Sequence, residues 1–196
     1  MASSSLDFGS TLSQPLLALP RSSMTHLRTW LPVFVCLAVF AFESTSWLGG
    51  EHTSAPLRRV AEAFCGTFSN AQWFLLHHLI RKVGHFVGCG LFALICFRTL
   101  WRVSRSASSS LSRQLRAHAG AILATFLLAG ADEIHQCFVP NRYGRVSDVL
   151  LDTCGALATC LMLFMVMQAL SWRAQQAGRN SSSRQAAGLG AFPTLG

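Results

Sequence analysis

AHAGAILATFLLAGADEIHQCFVPNRYGRVSDVLLDTCGALATCLMLFMVMQAL, residues 117–170, is the stretch whose reading decides the fold. It holds two apolar runs, about 117–138 and Val146 to about 170. Each is long enough to cross a bilayer as a helix of roughly 20 residues. Between them Pro140, Asn141 and Gly144 mark a tight turn. The pattern predicts an antiparallel pair of transmembrane helices. Its acidic residues, Asp132, Glu133, Asp148 and Asp152, gather at the ends of the two runs that adjoin the turn.

Working toward the amino terminus, residues 102–116 are basic and Ser-rich and read as a loop or short helix. Before them, residues 70–80 lead into a span that ends near Trp101. A further span covers about 29–48, with Pro32 near its start, where proline is tolerated. No small-residue cleavage site follows it, so it is expected to remain as an anchor. Between these two spans, Leu57, Val60, Phe64 and Phe68 recur at helical spacing, while Arg58, Arg59 and Glu62 fall elsewhere on the wheel. That segment is expected to lie as a helix in the membrane interface. The fold class is therefore all-α: a polytopic membrane protein with about four transmembrane helices and an interfacial helix between the first two. Residues 1–24, with Pro15 and Pro20, and residues 172–196, rich in Ser and Gly, read as flexible tails around a membrane domain of 25–171.

Composition agrees. Of 196 residues 51% are hydrophobic and 12% charged, and the mean hydropathy is +0.39. Soluble domains carry about 25% charge to cover their surface. The net charge of +8 does not point to nucleic acid, because the basic residues flank apolar runs instead of forming a patch with interleaved aromatics. None of the seven cysteines forms a CxxC pair, and most lie inside apolar runs as small hydrophobes. With the amino terminus cytoplasmic, ten basic residues fall inside and six outside. This predicts a cell-membrane protein with both termini cytoplasmic.

Three segments bring ionisable groups to the outer end of the bundle. One span opens with Arg81, Lys82 and His85; the next closes with Asp132, Glu133, His135 and Gln136; the turn and last span add Arg142, Arg145, Asp148 and Asp152. Lys82 shares a helix face with His85, Glu133 with Gln136, and Asp148 with Asp152. Charges in hydrocarbon cost about 2.5–3.5 kcal/mol or more at the bilayer centre, so these groups are expected to face inward and find partners. Four acids against four fixed bases is also what a purely structural ion-pair network would contain. Glu43 stands where it could cap the cluster, and His77 and His78 read as interfacial residues.

Three functions compete. In the first, Lys82, His85, Glu133, Gln136, Arg142, Arg145, Asp148 and Asp152 form a ligand site in which arginine forks hold an anionic head group. In the second, the chain is a membrane-embedded enzyme with Glu133 or Asp148 as base and His85 or His135 as acid or base. No HExxH, GxSxG or dense cysteine–histidine set is present, which weighs against an enzyme, a metal or another cofactor. In the third, the cluster serves packing alone.

The motifs Lys82-x-x-His85-Phe86, Glu133-x-x-Gln136, Pro140-x-Arg142, and Asp148 followed by Gly155 occur in the order found in the VanZ-like family. The chain resembles that family over about 81–155. Asp152 stands where an Asn is common in the family, and Asn141 where a Gly is usual. The resemblance implies a link to the cell envelope, and one member is associated with teicoplanin resistance. Expected partners are the lipid bilayer and a lipid-linked cell-wall intermediate or lipoglycopeptide.

Overall fold

The computed structural model describes residues 21–45, 50–104, 110–139 and 143–189. The expected tail up to residue 20 and the turn residues Pro140, Asn141 and Arg142 lie outside them. The described chain forms α1 (Arg21–Glu43), α2 (Gly50–Cys65), α3 (Asn70–Val103), α4 (Ser110–Gln136) and α5 (Val146–Leu189). α1, α3, α4 and α5 are long and apolar enough to cross a membrane, so the protein is an all-α multi-pass membrane protein. α3 is central and touches every other helix, while α4 and α5 also pack together.

Charge positions along the helices mark the membrane level. Lys82 and Arg98 on α3 are sixteen residues apart, and so are Arg116 and Asp132 on α4. At 1.5 Å per residue both intervals are about 24 Å, close to the thickness of hydrocarbon. Asp132 of α4 thus lies at the level of Lys82, and the contact of Lys82 with Asp148 brings the α5 acid to the same boundary.

Several bounds differ from the sequence expectation. α1 begins at Arg21 and ends at Glu43. Ser44 and Thr45 turn the chain there, with Thr45 Oγ1 donating to the Phe42 carbonyl at 2.6 Å. Pro32 consequently lies inside the helix, not near its start, and cannot supply the usual N–H to the Arg28 carbonyl. α2 starts at Gly50 and stops at Cys65, three residues short of Phe68. Gly66, with φ +83°, ends it in the left-handed region that favours glycine. α5 does not stop near residue 170 but continues to Leu189, and every side chain from Ser171 to Asn180 is exposed.

A capping box starts α3. Ser69 Oγ accepts from the Gln72 N–H at 3.3 Å, and Gln72 Oε1 accepts from the Ser69 N–H at 3.0 Å. Arg58 pairs with Glu62 of its own helix at 2.8 Å and clamps α2 to this start through the Phe68 carbonyl at 2.6 Å and Asn70 Oδ1 at 3.0 Å. Trp73 Nε1 adds a bond to Ser54 Oγ at 2.7 Å. Phe64 is left 87% exposed on the apolar side of α2, as suits a helix in the interface.

The core is built from Phe92, Ala93, Cys96 and Phe97 of α3, Ala117 and Ala121 of α4, and Ala156 and Cys160 of α5, with Val33 of α1 packed on. Small residues let the backbones approach. A Cβ on Gly90 would stand 2.5 Å from Thr159 Oγ1 and 3.2 Å from the Gly155 carbonyl, so α3 and α5 cross where a glycine of each helix leaves room for the other. At the opposite end from the acids, Arg113 lies over the Trp101 ring at 4.0 Å and donates to the Trp101 carbonyl, tying α4 to α3.

Candidate functional site

The acids and bases gather around one cavity of about 660 Å³ between α3, α4 and α5, with α2 at its edge. Its α3 wall is a single stripe: Phe74, His77, His78, Arg81, Lys82 and His85 recur every three or four residues. Glu133 and Gln136 line it from α4, and Arg145, Asp148 and Asp152 from the turn and α5. Of the residues expected in a ligand site, these walls hold Lys82, His85, Glu133, Gln136, Arg145, Asp148 and Asp152.

Pairing follows the depth along the helices. Lys82 Nζ meets Asp148 Oδ1 at 2.6 Å, and Ser147 Oγ donates to the same oxygen at 3.2 Å. One turn deeper His85 Nδ1 and Asp152 Oδ2 are 3.5 Å apart. Asp152 is only 3% exposed, and its Oδ1 is buried without a hydrogen-bond partner among the described residues. The Cys89 thiol lies beside the same carboxylate, so the Asp152 side chain is enclosed mainly by α3 and not by the open cavity.

Glu133, 8% exposed, accepts from the Arg145 backbone N–H at 2.6 Å. That bond needs the turn to pass against α4, and Gly144 permits it. A Cβ there would overlap the Glu133 carbonyl and stand 2.7 Å from Cys137 Sγ. The Arg145 side chain is exposed at the cavity, near enough to Asp148 to interact with its charge but without a described carboxylate within 4 Å. Gln136 Nε2 donates to Asp132 Oδ2 at 2.7 Å.

The remaining expected residues fall elsewhere. His135 turns away from the main cavity and shares a 2.8 Å bond with Ser44 Oγ, joining the ends of α1 and α4. Glu43 lies with Arg81 and Asp132 around a separate void of about 10 Å³. His77 and His78, read from sequence as interfacial, line the main cavity, and so does Ser54 of α2. The histidines were findable, because the stripe through Lys82 and His85 continues to them at helical spacing. Ser54 carried no such signal, since its place depends on the Trp73 bond.

A family model, VanZ/LLP1, matches residues 28–176, which takes in most of each transmembrane helix and every wall of the cavity. No curated protein and no solved structure matches the chain.

Proposed function

This chain belongs to the VanZ/LLP1 family, and from that premise we propose that its cavity binds the polar, anionic head group of a membrane lipid or lipid-linked envelope compound, in an accessory role at the cell membrane. The observation that carries this reading is Arg145. Its backbone N–H is spent on Glu133, while its guanidinium stands at the cavity without an ion pair among the described residues. A planar fork with five donors suits phosphate or carboxylate. Lys82 is already committed to Asp148 at 2.6 Å and serves to hold α3 and α5 at the cavity wall. The volume of about 660 Å³ falls in the range of small-molecule sites. A ligand whose chains stay in the bilayer can present its head group at this depth.

Arg145→Ala is a clean test, because the bond to Glu133 uses main-chain atoms and survives the substitution. Lipid titration of the purified full chain should show roughly tenfold or greater weakening, as expected for loss of a charged hydrogen bond worth about 1.5–3 kcal/mol. Equal affinity of the two proteins would remove Arg145 from the site and with it the main support for this function.

The His85–Asp152 pair favours a second reading, in which the histidine is an acid or base toward a lipid-linked substrate. Turnover of a lipid phosphate that His85→Gln abolishes would establish it; binding without turnover supports the first.

A further inference from the structure

The Lys82–Asp148 contact fixes how two walls of the cavity stand against each other. α3 and α5 both start at the acid-bearing end and run inward side by side, so residues preceding the pair on either segment lie further out. His78 precedes Lys82 by four residues, about 6 Å along α3, and Arg145 precedes Asp148 by three, about 4.5 Å at helical rise. Both therefore stand about one turn outward of the pair, and both are exposed and line the cavity. Their neighbours on the histidine stripe are engaged. His77 Nε2 lies 3.4 Å from Thr53 Oγ1 of α2 and its ring stacks on Trp73, while His85 is held by Asp152 at 3.5 Å. His78 makes no hydrogen bond among the described residues, so its ring is open to a ligand.

Formal charge decides what an anion meets there. With the histidines neutral, Arg81, Lys82 and Arg145 are matched by Glu133, Asp148 and Asp152 along the cavity. Asp132 and Glu43 stand behind Arg81 around the smaller void, and among the described residues α2 contributes Ser54 and no charge to the lining. Tyr143 at the mouth is neutral near pH 7. The cavity thus has no surplus of positive charge for an anion until a histidine takes a proton. Imidazole does so near physiological pH, with an ordinary value of about 6.5.

We propose that His78 is a second anion-binding group of the site, on the wall across from Arg145, and that it serves as its imidazolium, so that head-group binding takes up a proton. This rests on the head-group function proposed above. A proton taken up with the ligand makes affinity rise as pH falls and decline as the imidazole loses its charge.

The test titrates the purified full chain with phosphatidylglycerol, whose phosphodiester keeps one negative charge throughout the range. Affinity should rise about tenfold from about pH 8 to about pH 5.5, the change that one imidazole supplies when the complex keeps its proton. Calorimetry in buffers of different ionisation enthalpy should count about one proton taken up per lipid near pH 7. His78→Gln should bind with the weak, high-pH affinity at every pH. His78→Lys carries a permanent cation, so it should bind at about pH 8 as tightly as the wild type does at about pH 5.5. The wild-type slope needs no variant. A flat wild-type profile, or a slope that His78→Gln leaves intact, overturns the inference. If the profile is flat but Arg145→Ala weakens binding at both pH values, the head-group function stands and only this inference fails. If Arg145→Ala weakens binding at neither, the head-group function itself fails.

Discussion

Replacing Gly155 with alanine tests whether the close crossing of α3 and α5 builds the cavity. The added Cβ would overlap the Phe86 carbonyl oxygen, with Phe86 C and Cα at 3.0 and 3.2 Å. All three are backbone atoms, so no rotamer change relieves them, and the helices must part by on the order of 1 Å to reach ordinary contact distance. Overpacking of this kind costs about 1–3 kcal/mol. Gly84→Ala is the matched control, because nothing lies within 4 Å of a Cβ built there. Both substitutions gain the same backbone term of about 0.5–1 kcal/mol for replacing glycine inside a helix. The difference between them therefore isolates the steric cost. At about 2–4 °C per kcal/mol for a chain of this size, Gly155→Ala should melt roughly 2–12 °C below Gly84→Ala. Thermal unfolding of both proteins in one detergent, followed by tryptophan fluorescence, gives the comparison. Gly155 lies one turn from Asp152, so parting the helices should also widen the His85–Asp152 gap and weaken lipid binding. Equal melting temperatures for the two variants would refute the reasoning, because they would mean that the crossing absorbs a methyl group without strain.

Other consequences follow from single contacts. Breaking the Lys82–Asp148 pair with Lys82→Met should destabilise the bundle by about 1–3 kcal/mol, and the exchange Lys82→Asp with Asp148→Lys should recover most of it; a double-mutant cycle without coupling would contradict the 2.6 Å contact. Glu62 is held below the usual carboxylate range by the Arg58 guanidinium and then by the Phe68 N–H. A carboxylate depressed on folding stabilises above its unfolded value near 4.3, and that contribution disappears as pH falls through the lower folded value. Hydrogen exchange in α2 should therefore quicken as pH drops below about 4, after correction for the intrinsic rate, and Glu62→Gln should flatten that response. Tyr143 is exposed beside the cavity, so Tyr143→Cys in a cysteine-free background should react with an impermeant thiol reagent on intact cells. Labelling only after lysis would reverse the proposed orientation, in which both termini are cytoplasmic.

The depth of each polar group could be read from sequence because hydrocarbon excludes charge. Residue number along an apolar helix then serves as a ruler, and Lys82, Asp132 and Asp148 fall at one mark. The motifs around Glu133 and Asp148 carried the family resemblance for the same reason: their spacing is set by the α4–α5 turn. Rotation about the helix axis was less legible. His135 and Gln136 are adjacent in sequence, yet one turns to Ser44 on α1 and the other lines the main cavity.

The sequence by itself determined that this chain crosses a membrane several times with its acids and half-buried bases at one end, since length, hydropathy and charge exclusion are properties of single segments. Only the tertiary structure decided which base meets which acid, that Asp152 keeps an unmatched oxygen, and that His77, His78 and Ser54 join the cavity. Ser54 is placed by its bond to Trp73, and the ion pairing depends on how closely and at what rotation α3 and α5 cross. That is set by Gly90, Gly155 and Thr159, which are distant in sequence and act only when packed together.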